Sequence, residues 1–235
     1  MSSQVESMLD RADELLRELK DEYDGCLQAH SVTERAKNLT HEVLEKLRNA
    51  LDHTMRIGWE KYIAPNLSEQ DKRRARIYFP IVSNLNAFRS TLGLGCMANL
   101  DKVHKNLYDF LLKQQPFSFE ENRWLKLLAE IAVEGKHVIL TPQKRTETRR
   151  IKVTGTGGGS VSWDPSMVKF GGGVSVVGAP IDPSTQRIIP TPGVTEQVEI
   201  WVSFVLEDYG VNALGFCKEA SQKTRMLIKE MFNVL

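Results

Sequence analysis

The sequence lacks both a long apolar run and a cysteine framework. No stretch approaches the roughly 20 apolar residues that a membrane-spanning helix needs, and the acidic N-terminus has neither the basic start nor the apolar stretch of a secretory signal. The three cysteines, Cys26, Cys96 and Cys217, lie far apart and form no CxxC pair. That pattern is typical of free thiols in a reducing compartment. We therefore expect a cytoplasmic protein without a membrane anchor.

The sequence also has little net charge and no metal-ligand pattern. The formal charge is +1, from 31 bases and 30 acids, which excludes a polycation built for nucleic acid as a whole. HEVLE at 41–45 is not HExxH, and no Cys/His cluster has ligand spacing, so we expect no metal and no cofactor. Two local clusters of bases remain, KRRAR at 72–76 and six bases within 141–170. Such clusters either contact phosphate or form a solvated surface.

Apolar residues recur at helical spacing through most of the chain. Residues 4–29 predict a first helix, and Ser31 with Glu34 predicts the start of a second that runs to about residue 63. The short gap between them indicates an antiparallel hairpin of helices. Ser68 with Asp71 predicts a shorter helix, which Pro80 ends. Further helices are expected over 99–113, from Ser118 to about 133, and over 212–235.

The pattern changes to β structure after the fifth predicted helix. Five segments rich in β-branched and aromatic residues alternate with turn residues such as GTGGG, which precedes a strand and so predicts a hairpin loop, not a phosphate-binding loop. The segments are VIL (138–140), RRIKVTG (149–155), SVSW (160–163), VSVV (174–177) and EQVEIWVSFVL (196–206). We therefore expect an α+β fold: a bundle of about five antiparallel helices (1–136), an inserted antiparallel β unit of about five strands (137–208), and a C-terminal helix (209–235) that packs back on the bundle.

One short motif carries a chemical hint. Arg48 precedes His53 by five positions within LRNALDH (47–53), in the middle of the second predicted helix. On a helical wheel the two side chains lie about 140° apart, on either side of a polar face that holds Asn49. One helix cannot direct both side chains at one small substrate, so another helix or a symmetry mate must close any site. The alternative is that Arg48 pairs with Asp52 or Glu45 on its own helix and that His53 is a boundary residue.

The arginine, the asparagine after it and the histidine resemble the Rx4–6H signature of HEPN domains, small helical bundles that often act as metal-independent ribonucleases. The resemblance implies a homodimer that brings two copies of the motif together on RNA. His53 would move the proton of the 2′-hydroxyl or the leaving group, a task that suits histidine because the unperturbed pKa of this residue type lies near neutrality. Arg48 would hold the scissile phosphate, and Asn49 would orient one of these groups.

A second resemblance covers about a third of the chain. The resemblance is to a widespread bacterial group to which no function is assigned and which has LRxALDH, FPI and (D/G)KH elements. The matching segments here are LRNALDH (47–53), YFPI (78–81) and GKH (135–137). This resemblance adds Asp52, Lys136 and His137 as candidate substrate-binding residues beside Arg48 and His53. A simpler reason for Lys136 and His137 is that positive charge is favoured at a helix C-terminus.

Three functions follow as hypotheses. The first is a HEPN-like ribonuclease of the toxin or defence type that acts as a homodimer. The second is a non-enzymatic protein whose helical body forms an oligomer and whose β unit presents strands or loops to a partner. The third is a protein that binds a small phosphorylated ligand through Arg48, Lys136 and His137 without hydrolysing it.

Overall fold

The computed structural model describes residues 2–29, 32–134, 143–206 and 208–235. It confirms an α+β fold in which most helices precede a set of antiparallel strands and one long helix follows them. The α-helices are α1 (Ser3–Ala29), α2 (Glu34–Tyr62), α3 (Glu69–Arg74), α4 (Leu85–Leu94), α5 (Leu100–Val103), α6 (Lys105–Lys113), α7 (Arg123–Glu134) and α8 (Ala213–Val234). The strands are β1 (Gln143–Thr154), β2 (Ser160–Trp163), β3 (Ser175–Val176), β4 (Ala179–Asp182), β5 (Arg187–Ile188), β6 (Thr195–Leu206) and β7 (Val211–Asn212).

The chain divides into two compact units. The helical unit comprises residues 1–144 and 205–235, and the β unit comprises residues 145–204. Within the helical unit α2 is central, because it contacts α1, α7 and α8. The last helix therefore completes the same core that the first two begin. No helix among the described residues has the length and apolar character needed to cross a bilayer.

The α1–α2 hairpin forms the largest part of the helical core. Both helices bury an apolar stripe that repeats every three or four residues, from Val5 to Tyr23 on α1 and from Leu39 to Trp59 on α2. The start of α2 differs from the prediction. Thr33 is the N-cap, and its hydroxyl oxygen accepts the Ala36 N–H at 3.0 Å. Ser31 lies outside the described residues.

The bundle was predicted to have about five helices before the β unit, but seven α-helices, α1 to α7, occur among the described residues up to 134. The helix expected over 99–113 is divided at His104, which leaves helical geometry and whose Nδ1 accepts the Leu107 N–H at 3.3 Å. Ser118 does not cap a helix, because its hydroxyl donates to the Leu112 carbonyl at 2.7 Å. α7 begins only at Arg123, after a 3-10 turn. Local capping patterns thus identified elements more reliably than their boundaries.

The β strands form two sheets with antiparallel pairing. One has the order β2-β1-β6-β7 and the other the order β3-β4-β5. GTGGG is the predicted hairpin loop: it joins β1 to β2, and the Gly155 N–H donates to the Gly159 carbonyl at 3.0 Å. The described residues contain seven strands where about five were predicted, because β3, β5 and β7 are two-residue strands too short to show a period. The predicted strand at 138–140 lies outside the described residues.

Between α3 and α4 the chain runs without helix or strand through residues 75–84, which we call the connecting segment. Pro80 lies in it, in agreement with the prediction that the third helix ends before this proline. Phe79 is fully buried, and Pro80 is also buried. A buried irregular backbone must find partners for its N–H and C=O groups outside regular structure. For Phe79 those partners come from the predicted functional motif.

Candidate functional site

Arg48 and Asp52 bind the two backbone polar groups of Phe79, its carbonyl and its N–H. The Arg48 Nη2 group donates to the Phe79 carbonyl at 2.8 Å, and the Asp52 Oδ1 atom accepts the Phe79 N–H at 2.8 Å. The same Nη2 and Oδ1 atoms lie 3.0 Å apart in an ion pair. Four residues separate the pair on α2, so both side chains leave the same face of the helix. The arrangement is a clamp that attaches the connecting segment to α2.

Gln115, just beyond α6, holds the same segment farther along. Its amide nitrogen donates to the Pro80 carbonyl and to the Leu111 carbonyl, each at 2.8 Å, and its amide oxygen accepts the Val82 N–H at 3.2 Å. The side chain is fully buried. The sequence analysis missed this residue, because a lone glutamine after a helix carries no pattern that distinguishes a buried amide from a solvated one.

Burial governs the electrostatics of Arg48. It lowers the pKa of the guanidinium, while the Asp52 carboxylate raises that pKa and keeps the group charged. The Arg48 Nη1 atom is buried and has no hydrogen-bond partner among the described residues. The guanidinium therefore points into the protein, toward Phe79 and Asp52, and its charge is compensated by Asp52. The ion pair with Asp52 agrees with the alternative given in the sequence analysis, in which Arg48 pairs with an acid on its own helix.

Asn49 and His53 form a separate pair on the neighbouring face of α2. They too are four positions apart and therefore project from one face. Both are partly exposed, and neither makes a side-chain hydrogen bond to any residue in the described part of the chain. The residues of the Rx4H string thus lie in two different environments. Arg48 and Asp52 bind the connecting segment, whereas Asn49 and His53 lie on a partly exposed face of α2. No hydrogen bond within the described ranges joins Arg48 to His53.

The other candidate residues cannot be placed. Lys136 and His137, with the predicted C-cap Gly135, lie outside the described residues, so their convergence on Arg48 stays a prediction. Across the described ranges no group of three or more His, Cys, Asp or Glu side chains could hold a metal ion.

The structure joins two of the elements on which the second resemblance rests. LRNALDH contributes Arg48 and Asp52, and YFPI contributes the Phe79 backbone that they bind. A pair of motifs that looks like a dispersed active site is thus one packing unit. In this unit Arg48 and Asp52 form the hydrogen bonds that the buried backbone groups of Phe79 require.

Comparisons with protein-family models, curated proteins and solved structures found no match for this chain. The HEPN resemblance therefore stays a prediction from the sequence.

Proposed function

We propose that this protein is a non-enzymatic interaction protein whose helical unit associates with a second copy of itself. The observation that carries the proposal is an apolar surface formed by Leu85, Leu112, Phe117 and Phe119, which line one shallow depression. Phe119 is 49% exposed, and Leu85 and Phe117 are also exposed. Contiguous exposed apolar side chains are typical of a surface that a partner covers.

The two phenylalanines are held in place rather than loosely attached. They flank Ser118, whose hydroxyl donates to the Leu112 carbonyl and whose N–H donates to the Gln115 carbonyl at 2.9 Å. The Asn122 amide donates to the Lys113 carbonyl at 2.9 Å. A turn fixed in this way presents its aromatic rings with little entropy left to lose on binding, which favours association.

Charge at the edge of this surface favours a second copy as the occupant. α6 carries Asp109 and Lys113 at the rim of the depression, four residues apart and both exposed, and Asp109 also pairs with Lys105 at 2.5 Å. In a two-fold interface residue i meets residue j of the other copy and j meets i. Two antiparallel α6 helices would therefore pair Asp109 with Lys113 twice, around an apolar centre.

Exchanging the charges tests this arrangement. Asp109→Lys and Lys113→Asp are each expected to weaken self-association roughly tenfold, because every rim pair becomes a like-charge pair and occurs twice. An equimolar mixture of the two variants is expected to restore association as a mixed dimer, measured by sedimentation velocity.

The matched control is Glu219→Lys on α8, which reverses one charge of an exposed pair with Lys223, and neither of these residues lines the depression. It should associate as the natural chain does, whereas Phe119→Ser should not associate. A natural chain that stays monomeric, or a mixture that fails to recover, would contradict the proposal.

The β unit offers a surface for another partner. Met167 is 84% exposed at the tip of a loop that begins at Asp164. The Asp164 carboxylate accepts the Ser166 hydroxyl at 2.6 Å and the Ser166 N–H at 2.8 Å, and these hydrogen bonds lower its pKa. At the other end the Gln186 amide binds both the N–H and the carbonyl of Phe170, at 2.7 and 3.1 Å. A loop anchored at both ends supports the role of the β unit as a presenting element. The free cysteines support a cytoplasmic location for this activity.

A HEPN-like ribonuclease is the second candidate, and the Asn49–His53 pair favours it. The His53 imidazole is partly exposed and has no hydrogen-bond partner among the described residues, so a substrate can reach it. In this proposal a homodimer cleaves RNA without metal, and His53→Ala abolishes cleavage in the presence of EDTA while thermal unfolding is unchanged. Arg56→Ala, on the same helix but paired with Glu60, is the control. Cleavage that survives His53→Ala would remove His53 from the reaction.

A further inference from the structure

Residues 72–100 contain bases but no acid. Lys72, Arg73, Arg74, Arg76 and Arg89 fall in this stretch, and the nearest carboxylates in the sequence are Asp71 and Asp101. In a chain with nearly equal numbers of acids and bases, so long a one-signed stretch produces a local positive potential.

The four arginines of this stretch are exposed, and none has an ion-pair partner among the described residues. Three other exposed bases of the helical unit, Arg35, Arg56 and Lys105, each pair with a carboxylate, whereas Arg17 is exposed and has no ion pair among the described residues. Within the stretch itself only Lys72 is paired, with Glu69. The C-terminus of α3 favours cations, which gives Arg73 and Arg74 a local role, but Arg76 and Arg89 lie outside α3.

Backbone contacts bring these arginines to one region of the helical unit. The Arg76 N–H donates to the Leu94 carbonyl at 2.9 Å, so the end of α3 meets the end of α4. Arg89 precedes Leu94 on α4 by five residues, about 8 Å along the helix axis. The Trp59 indole N–H donates to the Gly95 carbonyl at 2.7 Å and holds this junction on α2. The region is therefore positioned before any ligand arrives.

An aromatic residue, Tyr78, follows Arg76 by two positions in the connecting segment. Tyr78 is 52% exposed, although the next residue, Phe79, is fully buried and held by Arg48 and Asp52. A large exposed ring on an anchored backbone offers a flat face to a ligand. Arginines bind phosphate in a planar, bidentate manner, and a tyrosine stacks on an unpaired base of any sequence.

We propose that Arg73, Arg74, Arg76 and Arg89, together with Tyr78, form a binding surface for single-stranded nucleic acid, which we call the arginine surface. The arginines bind consecutive phosphates, and Tyr78 stacks on a base. Because double-stranded nucleic acid keeps its bases stacked, the ring selects the single strand. This surface shares no residue with the apolar one, and binding to it does not depend on cleavage.

The test measures fluorescence anisotropy of labelled single-stranded RNA and DNA of one sequence, with the full chain in EDTA. Replacing Arg73, Arg74 and Arg76 together by glutamine is expected to weaken binding at least tenfold at moderate salt. The slope of log affinity against log salt should fall in magnitude by about 2, since each lost phosphate contact on a single strand contributes about 0.7. Tyr78→Ala should weaken binding about fivefold or more, while Tyr78→Phe keeps the ring and the affinity.

The matched control replaces Arg35, Arg56 and Lys105 together by glutamine. It removes the same positive charge from exposed but ion-paired positions, and it should bind almost as the natural chain does. Thermal unfolding of each variant confirms the fold. Equal affinity for RNA and DNA would support recognition of phosphate and base alone. A preference for RNA would indicate that the surface also contacts the 2′-hydroxyl. Absence of binding at low salt, equal losses in both triple variants, or tighter binding to duplex than to single strand would overturn the proposal.

Discussion

Asp52→Ala is expected to lower the free energy of unfolding by about 3 kcal/mol, measured by urea denaturation. The substitution leaves the Arg48 guanidinium without its counterion and the Phe79 N–H without its acceptor. Removing one partner of a buried pair typically costs about 3–5 kcal/mol. We expect the lower end of that range, because the two side chains are 17% and 22% exposed and solvent screens them in part.

A second ion pair on the same helix supplies the control. Arg56 and Glu60 have the same spacing and the same 3.0 Å separation, but their side chains are 58% and 56% exposed. Glu60→Ala should therefore change stability by less than about 1 kcal/mol. Similar losses in Asp52→Ala and Glu60→Ala would show that the clamp on Phe79 contributes nothing beyond an ordinary surface pair.

Gln115→Leu is expected to cost about 2 kcal/mol of unfolding free energy. Leucine has nearly the same size, so the packing changes little, but the Pro80 carbonyl and the Val82 N–H lose their partner in the interior. An orphaned buried polar group costs about 1–3 kcal/mol.

Gln114→Leu is the neighbouring control, because Gln114 is only partly buried and its side chain makes no hydrogen bond within the described part of the chain. It should be nearly neutral in the same denaturation experiment. A neutral Gln115→Leu would mean that water or a shifted backbone satisfies the connecting segment in its place.

The sequence predicted those elements whose determinants are local. α1 extends over Ser3–Ala29 where 4–29 was expected, and α8 over Ala213–Val234 where 212–235 was expected. Ser68 caps α3 as predicted: its hydroxyl oxygen accepts the Asp71 N–H at 3.1 Å. In each case the apolar period or the capping residue lies within the element that it defines.

The clamp could not be predicted, because its partners are distant in sequence. The motif around Arg48 was visible, and so was the break at Pro80, but nothing local connects residue 48 to residue 79. On the helical wheel Arg48 lies at the edge of the apolar stripe. An arginine at such an edge either extends into solvent or pairs with a group in the interior, and the position of the connecting segment determines which of the two occurs. The apolar surface could not be predicted either. From the sequence alone, Phe117 and Phe119 could equally be buried side chains of a core strand.

The connecting segment also has a consequence for the order of folding. Its anchors span 31 residues from Arg48 to Phe79 and 35 from Pro80 to Gln115, whereas α2 and α6 form from contacts within a turn. Long loops close only after the surfaces that hold them exist. We therefore expect the segment to dock late, and interactions formed after the transition state slow unfolding without hastening folding. Substitutions of Arg48, Asp52 or Gln115 are then expected to speed unfolding and to leave the folding rate nearly unchanged.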